Sequence, residues 1–325
     1  MNLFSTKPPW AYSNYLLMSK LFDKNGLRIF FLENLDHNYD ALKFFTSNDF
    51  LLVSIGCYFD EYNFRLCKYI VENINPNIDK KKIIFFANEC VQKKMAIDNG
   101  FNAIDFNQNA LINRDIFKPV SKVDKIYNIV LNTRPDIIKR PWLAAEITDI
   151  AIIKGYSYVQ DRFWNLESLS PAFINEDRLS PERVNFIYNS SLMGGIFSER
   201  EGANYATGEY LLSGIPVLST FSSGGRQEWL DDSNSILCNP DPYEIKMAAD
   251  LVIERIKYGQ YLSADIRAGF IERSDKYITN LASLFYDLSD VLKLSNSDIV
   301  ELLIKIRTKK IEKHLISSFE KSLFS

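Results

Sequence analysis

The chain has 325 residues, 46% of them hydrophobic with 23 Phe and 17 Tyr, enough apolar material for two cores and more length than one core usually organises. A net charge of -3 gives no global reason to expect nucleic acid as a partner. No apolar run approaches the roughly 20 residues that span a bilayer, the N-terminus does not read as a signal peptide, and no two cysteines form a Cys-x-x-Cys pair. The expectation is a reduced, cytoplasmic protein.

In chain order, residues 2–5 offer a weak first strand. Short apolar, β-branched or aromatic runs then predict strands over 27–32, 50–55, 82–87 and 101–106, with helical patterns over 62–73 and 90–99. The polar segment 118–122 separates a second series. Strands are predicted over 126–132, 157–160, 192–197, 215–219 and 235–238, with helices over 140–153, 181–190, 204–212 and 242–258. This alternation predicts an α/β fold of two Rossmann-like, doubly wound parallel-sheet lobes facing a cleft, followed by C-terminal helices. The expected boundaries are 1–120, 121–260 and 261–325. Ligands of such sheets bind outside the carboxyl ends of the strands.

Chemistry concentrates in the second lobe. Arg134 and Lys139 follow its first strand, and fixed cations there suit an anionic ligand, whose negative charge needs a partner. Alone, these two cations read more simply as solvated charges between a strand and a helix. Glu201 and Glu209 bracket Gly202, Ala203 and Asn204, and a spacing of eight puts two carboxylates on roughly one face if the segment is helical. Both could then reach one ligand, with the backbone N–H groups of Gly202 to Asn204 turned to phosphate or sugar oxygens. Gly224 and Gly225 allow close backbone approach to a ligand or a plain tight turn. The chain contains no Asp-x-Asp and only two histidines, His37 and His314, so no metal is expected. His37 follows an early strand and reads as a surface histidine, with an acceptor contact as the alternative.

In order, Glu201 to Glu209, Gly214-Ile215-Pro216-Val217-Leu218-Ser219-Thr220 and Gly224-Gly225-Arg226-Gln227-Glu228 resemble the Glu-x7-Glu element, Gly-x-Pro-Val strand and Gly-Gly-x-x-Glu turn of the retaining GT-B glycosyltransferases, in particular family 4. The segment from Asn107 to Pro119 loosely resembles the inter-lobe segment of that group. The resemblance implies sugar transfer from a nucleotide-sugar donor to a glycan or lipid-linked acceptor, with retention and without a metal or other cofactor. It implies that Arg134 and Lys139 hold the diphosphate, that Glu201 contacts the sugar and that Glu209 binds ribose hydroxyls. By analogy the context is bacterial surface polysaccharide or lipopolysaccharide synthesis. A sugar-nucleotide epimerase and a non-catalytic nucleotide-sugar-binding scaffold are the alternatives. The first lobe departs from the group in being short and in lacking a Gly-rich loop after its first strand.

Residues 294–324 read as one basic amphipathic helix, with Ile299, Leu302, Leu303, Ile306, Leu315 and Phe319 near one face and Lys305, Arg307, Lys309, Lys310 and Lys313 elsewhere. Such a helix either packs on the protein or makes peripheral contact with an anionic membrane surface.

Overall fold

A computed structural model describes residues 15–24, 26–155, 163–308 and 313–315. The strands expected over 2–5 and 157–160 lie outside them. The chain forms two compact units, one of Met1–Leu111 with Asp275–Ser325 and the other of Ile112–Ser274. The segment 261–325 is therefore not a unit of its own: its first part packs with the second unit and the remainder with the first.

The first unit begins with β1 (Tyr15–Lys24) and β2 (Leu27–Glu33), an antiparallel pair whose register shifts between Lys20 and Phe22. From β2 the chain runs in parallel through β3 (Phe50–Ser54), α1 (Glu61–Ile74), β4 (Ile83–Ala87), α2 (Cys90–Asp98) and β5 (Asn102–Asp105). Every residue of β3 and β4 is buried, as parallel strands covered on both faces require. The four parallel strands lie in chain order, so right-handed crossovers place their helices on one face. There Phe64, Cys67, Ile70 and Val71 of α1 pack with Phe30, Leu51, Val53, Ile83 and Phe85. The Asp60 side chain caps α1 by accepting from the Tyr62 and Asn63 backbone N–H groups.

The second unit contains β6 (Tyr127–Thr133), β7 (Ile150–Lys154), β8 (Phe173–Ile174), α3 (Pro181–Asn189), β9 (Ser191–Ile196), α4 (Tyr205–Leu212), β10 (Val217–Thr220), β11 (Ser235–Cys238), α5 (Pro242–Lys257) and the first part of α6 (Ser263–Asp287). Its sheet is parallel throughout, in the order β11-β10-β9-β6-β7-β8. This is the doubly wound arrangement: from β6 the chain moves outward to β8, then returns to β9 on the other side. The helix expected over 140–153 is not formed. Residues Pro141–Ala144 make a short 3-10 helix and Ile150–Lys154 is a strand, because pairing with β6 outweighs a helix-like spacing of apolar residues in a β-branched run.

Two glycines are needed for their size or backbone conformation. A Cβ on Gly194 in β9 would lie 2.2 Å from the Tyr210 ring, which crosses the sheet there. Gly214, at φ +73 just beyond α4, ends that helix in the left-handed region.

The later part of α6, α7 (Ser289–Leu292) and α8 (Asn296–Thr308) return to the first unit. Tyr277 of α6 meets Phe106, which packs on Phe86, and Lys305 of α8 donates to the Leu21 carbonyl at 2.9 Å. These helices cover the sheet face that the crossovers leave open. The chain then adds β12 (Lys313–Leu315) antiparallel to β1, completing the order β12-β1-β2-β3-β4-β5. The single helix expected over 294–324 is thus corrected among the described residues: α8 spans Asn296–Thr308 and Lys313 belongs to a strand, while Lys309, Lys310 and Phe319 lie outside them. Ile299, Leu302 and Ile306 are buried, so this face of α8 is occupied by the protein itself. Among the described residues no helix is long and apolar enough to cross a membrane.

Gly194→Ala tests the close approach of Tyr210. Overpacking at a fixed ring predicts a loss of about 2 kcal/mol in guanidinium unfolding, whereas a variant within about 0.5 kcal/mol of the parent would show that the ring moves aside freely.

Candidate functional site

Strand order reverses between β6 and β9, and the two strands part at their carboxyl ends. Their last paired residues are Val130 and Gly194. Beyond that pair the Tyr210 hydroxyl accepts from the Asn132 backbone N–H at 2.7 Å and donates to the Val130 carbonyl at 3.1 Å. Two backbone groups of β6 are satisfied by one side chain. A small open depression lies at this point, lined by Asn132 and Thr133 of β6, Phe197 and Ser198 after β9, and Lys139, Glu201 and Asn204.

A charged cluster forms one wall. Lys139 Nζ donates to Glu201 Oε1, and the Ser198 hydroxyl donates to the same oxygen at 2.7 Å. Ser198 is in turn held by Arg226, whose Nη1 donates to its Oγ at 2.9 Å and its carbonyl at 3.1 Å while Nη2 donates to the Thr220 carbonyl at 2.6 Å. Arg226 is fully buried, and burial lowers its guanidinium to about 10 against the pull of Glu201. Arg140 donates to the Phe197 carbonyl at 2.6 Å and to Thr220 Oγ1 at 3.0 Å. Burial alone would raise the Glu201 carboxyl, but the Lys139 ammonium, the Ser198 hydroxyl and the Arg226 charge outweigh it and hold the group below the usual carboxylate range. Three cations, Lys139, Arg140 and Arg226, stand here against Glu201 and the Glu199 carboxylate that acts on Arg140. The excess is positive, as an anion site requires.

Glu209 occupies a different environment. It lies in α4, which begins only at Tyr205 behind an Asn204 cap at φ 54 whose side chain accepts from the Thr207 N–H. Glu201 precedes the helix, so the two carboxylates do not share a helix face and enter separate networks. The Tyr188 hydroxyl donates to Glu209 Oε2 at 2.6 Å, and Asn132 Nδ2 donates to the Tyr188 oxygen at 2.6 Å and to Oε2 at 3.4 Å. Burial pushes the Glu209 carboxyl up to about 7, against the lowering effect of these two donors.

The structure brings Lys139 and Glu201 into contact and places Asn204 beside them. Gly202 and Ala203 are buried behind Glu201, whose backbone N–H donates to the Ser223 carbonyl at 3.0 Å. Gly224 and Gly225 are buried immediately before Arg226, Gly224 at φ 103. Arg134 is 42% exposed, pairs with Asp136 at 3.0 Å and is not among the residues lining the depression. Six participants are not among the site residues expected from the sequence: Asn132, Tyr188, Ser198, Arg140, Tyr210 and Arg226. Arg226 lies within the Gly-Gly-x-x-Glu turn, the one signal available for it. Tyr188 and Tyr210 reach the site from helices whose patterns read as ordinary amphipathic segments.

No family model and no curated protein matches this sequence. Solved structures do. HepE of Anabaena in complex with UDP is similar at 13% identity and a TM-score of 0.54, over 80% of this chain and 78% of that one. A glycosyltransferase from Rickettsia africae is similar at 16% identity and a TM-score of 0.55, over 80% and 74%. The sucrose-phosphate synthase of Thermosynechococcus elongatus is similar at 15% identity and a TM-score of 0.54, over 75% and 69%. The fold is α/β and GT-B-like.

Lys139→Met removes the partner of a carboxylate whose side chain is 12% exposed, which predicts a loss on the order of 2 kcal/mol at pH 7. Because the folded-state value of Glu201 is depressed, its contribution is present above the unfolded value and lost as pH falls through the folded one. Denaturant unfolding at neutral and acid pH should therefore show the gap between parent and variant closing in acid. An unchanged gap would assign the loss to packing of the lysine stem.

Proposed function

We propose that this chain is a glycosyltransferase, moving a sugar from a nucleotide-sugar donor to a glycan or lipid-linked acceptor with retention at the anomeric carbon and without a metal. The observation that carries this reading is Lys139 lining the depression at the strand-order reversal of the second sheet, backed by Arg140 and the buried Arg226, with Glu201 and Glu209 in opposite electrostatic environments beside it. HepE was solved with UDP and with UDP-glucose, which agrees with this choice of ligand. The resemblance in the motifs from Glu201 to Glu228 supports retention, and the same analogy suggests a place in bacterial surface polysaccharide or lipopolysaccharide assembly.

In this reading the bond between the anomeric carbon and the phosphate oxygen breaks, and its electron pair leaves with the nucleoside diphosphate. The acceptor oxygen bonds that carbon on the same face, and its proton passes to the departing phosphate oxygen. Lys139 turns from Glu201 toward the diphosphate, where an ammonium with three donors stabilises the growing charge. The N–H groups from Gly202 to Asn204 assist it, with Gly224 and Gly225 close to the same phosphates. Glu201, kept ionised, accepts from sugar hydroxyls and favours an oxocarbenium-like transition state. Glu209 receives a ribose hydroxyl. Arg134 contributes to the diphosphate after release from the buried Asp136, a smaller role because it does not line the depression.

A thermal-shift and calorimetric screen against nucleoside diphosphates and nucleotide sugars, followed by detection of released nucleoside diphosphate with added saccharide acceptors, tests the proposal. One nucleotide should stabilise the parent and fail to stabilise Lys139→Ala and Glu209→Ala. Lys139→Ala should lower transfer by about 100-fold. Binding without turnover would favour the non-catalytic alternative. No binding by any nucleotide would end the reading.

A further inference from the structure

Glu209 carries more hydrogen-bond structure than a ligand contact needs. Both donors that reach it converge on Oε2, the Tyr188 hydroxyl at 2.6 Å and Asn132 Nδ2 at 3.4 Å. Asn132 Nδ2 also donates to the Tyr188 oxygen at 2.6 Å, which fixes the direction of the tyrosine proton toward the carboxylate. Oε1 accepts no hydrogen bond from any described residue. The groups facing the carboxyl are Tyr188 from α3, Asn132 from β6 and Tyr210 from α4 itself, and none of the three is a cation. Lys139, the cation nearest in function, is committed to Glu201. A carboxylate held at one oxygen by neutral donors, half-buried and without a counter-charge, favours a proton on its other oxygen in the empty protein.

We propose that Tyr188 and Asn132 are positioning residues that reserve Oε2 of Glu209 and thereby make Oε1 a single exchangeable acceptor, occupied by a proton in the empty protein and by one ligand hydroxyl in the filled one. The ligand half rests on the nucleotide reading above, in which that hydroxyl belongs to ribose. Binding then releases a proton from Oε1, and the hydroxyl donates to the carboxylate that remains. The exchange balances: one O–H bond of the carboxyl breaks, its proton goes to solvent, and no electrons move.

The positioning half has a readout that needs no ligand. A carboxyl raised in the folded state and ordinary in the unfolded one takes up a proton on folding, so stability falls as pH rises toward the folded value of about 7. Relative to Glu209→Gln, which keeps an acceptor for both donors and cannot ionise, the folded-to-unfolded ratio of the parent should fall by up to tenfold per pH unit between about pH 5 and pH 7. Tyr188→Phe keeps the ring and removes the donor, and Asn132→Ala is a second variant at a less buried position. Each should move the midpoint of that fall upward by about one pH unit. A Tyr188 that only packs would lower stability by the same factor at every pH, and parallel profiles for the parent and Glu209→Gln would likewise overturn the proposal.

The ligand half is read by calorimetry with UDP, GDP and ADP in buffers of different ionisation enthalpy near pH 6. The nucleotide that binds should release close to one proton more from the parent than from Glu209→Gln, the difference excluding protons lost by the nucleotide's own phosphate. Binding with no proton release overturns the exchange while leaving the nucleotide reading intact. Failure of all three to bind overturns that reading and the exchange together, and the ligand-free profiles still decide the part played by Tyr188 and Asn132.

Discussion

Where β6 and β9 part, the backbone of β6 loses its ladder partner, and the rest of the site depends on how that loss is met. A buried N–H or carbonyl without a partner costs roughly 1–3 kcal/mol, so a sheet cannot open at its strand-order reversal without a substitute. The Tyr210 hydroxyl is that substitute, bridging Asn132 N–H and Val130 carbonyl. It reaches them only because Gly194 leaves room for the ring across β9. One tyrosine and one glycine thus allow a crevice to exist in an otherwise closed sheet, and α4 brings both Tyr210 and Glu209 to it.

The two glutamates show how far environment outweighs residue type. Glu201 sits among cations and a hydroxyl donor and is held ionised, whereas Glu209 meets two neutral donors and no cation and is pushed up to about 7. A net-cationic cluster and a proton-exchanging acceptor therefore meet near Asn132. A ligand with an anionic centre and neighbouring hydroxyls would satisfy both.

Much of this was legible from the sequence because it is local. The Gly-x-Pro-Val strand and the buried runs of β3 and β4 are contiguous patterns, and each lies close to where its period places it, whereas the eight-residue glutamate spacing does not give one helix face because α4 begins only at Tyr205. Other features depend on distant partners. β7 was hidden inside a helix-like spacing because its state is decided by pairing with β6. β1 was not read at all, since its register shift near Lys20 interrupts the alternation that marks a strand. The C-terminal helices cover a face of the first sheet that no local pattern links to them. Arg134 and Lys139, read together from their spacing, separate in the structure because Asp136 holds one and Glu201 the other.

The central claim is that the crevice between β6 and β9 receives a nucleotide sugar, and a crystal structure with the bound nucleoside diphosphate tests it most directly. The account predicts the diphosphate against Ser198 to Asn204 with Lys139 turned from Glu201 to a phosphate oxygen, and a ribose hydroxyl on Glu209 Oε1 with Tyr188 still on Oε2. Nucleotide density elsewhere, with the Lys139–Glu201 pair intact and Glu209 untouched, would contradict it.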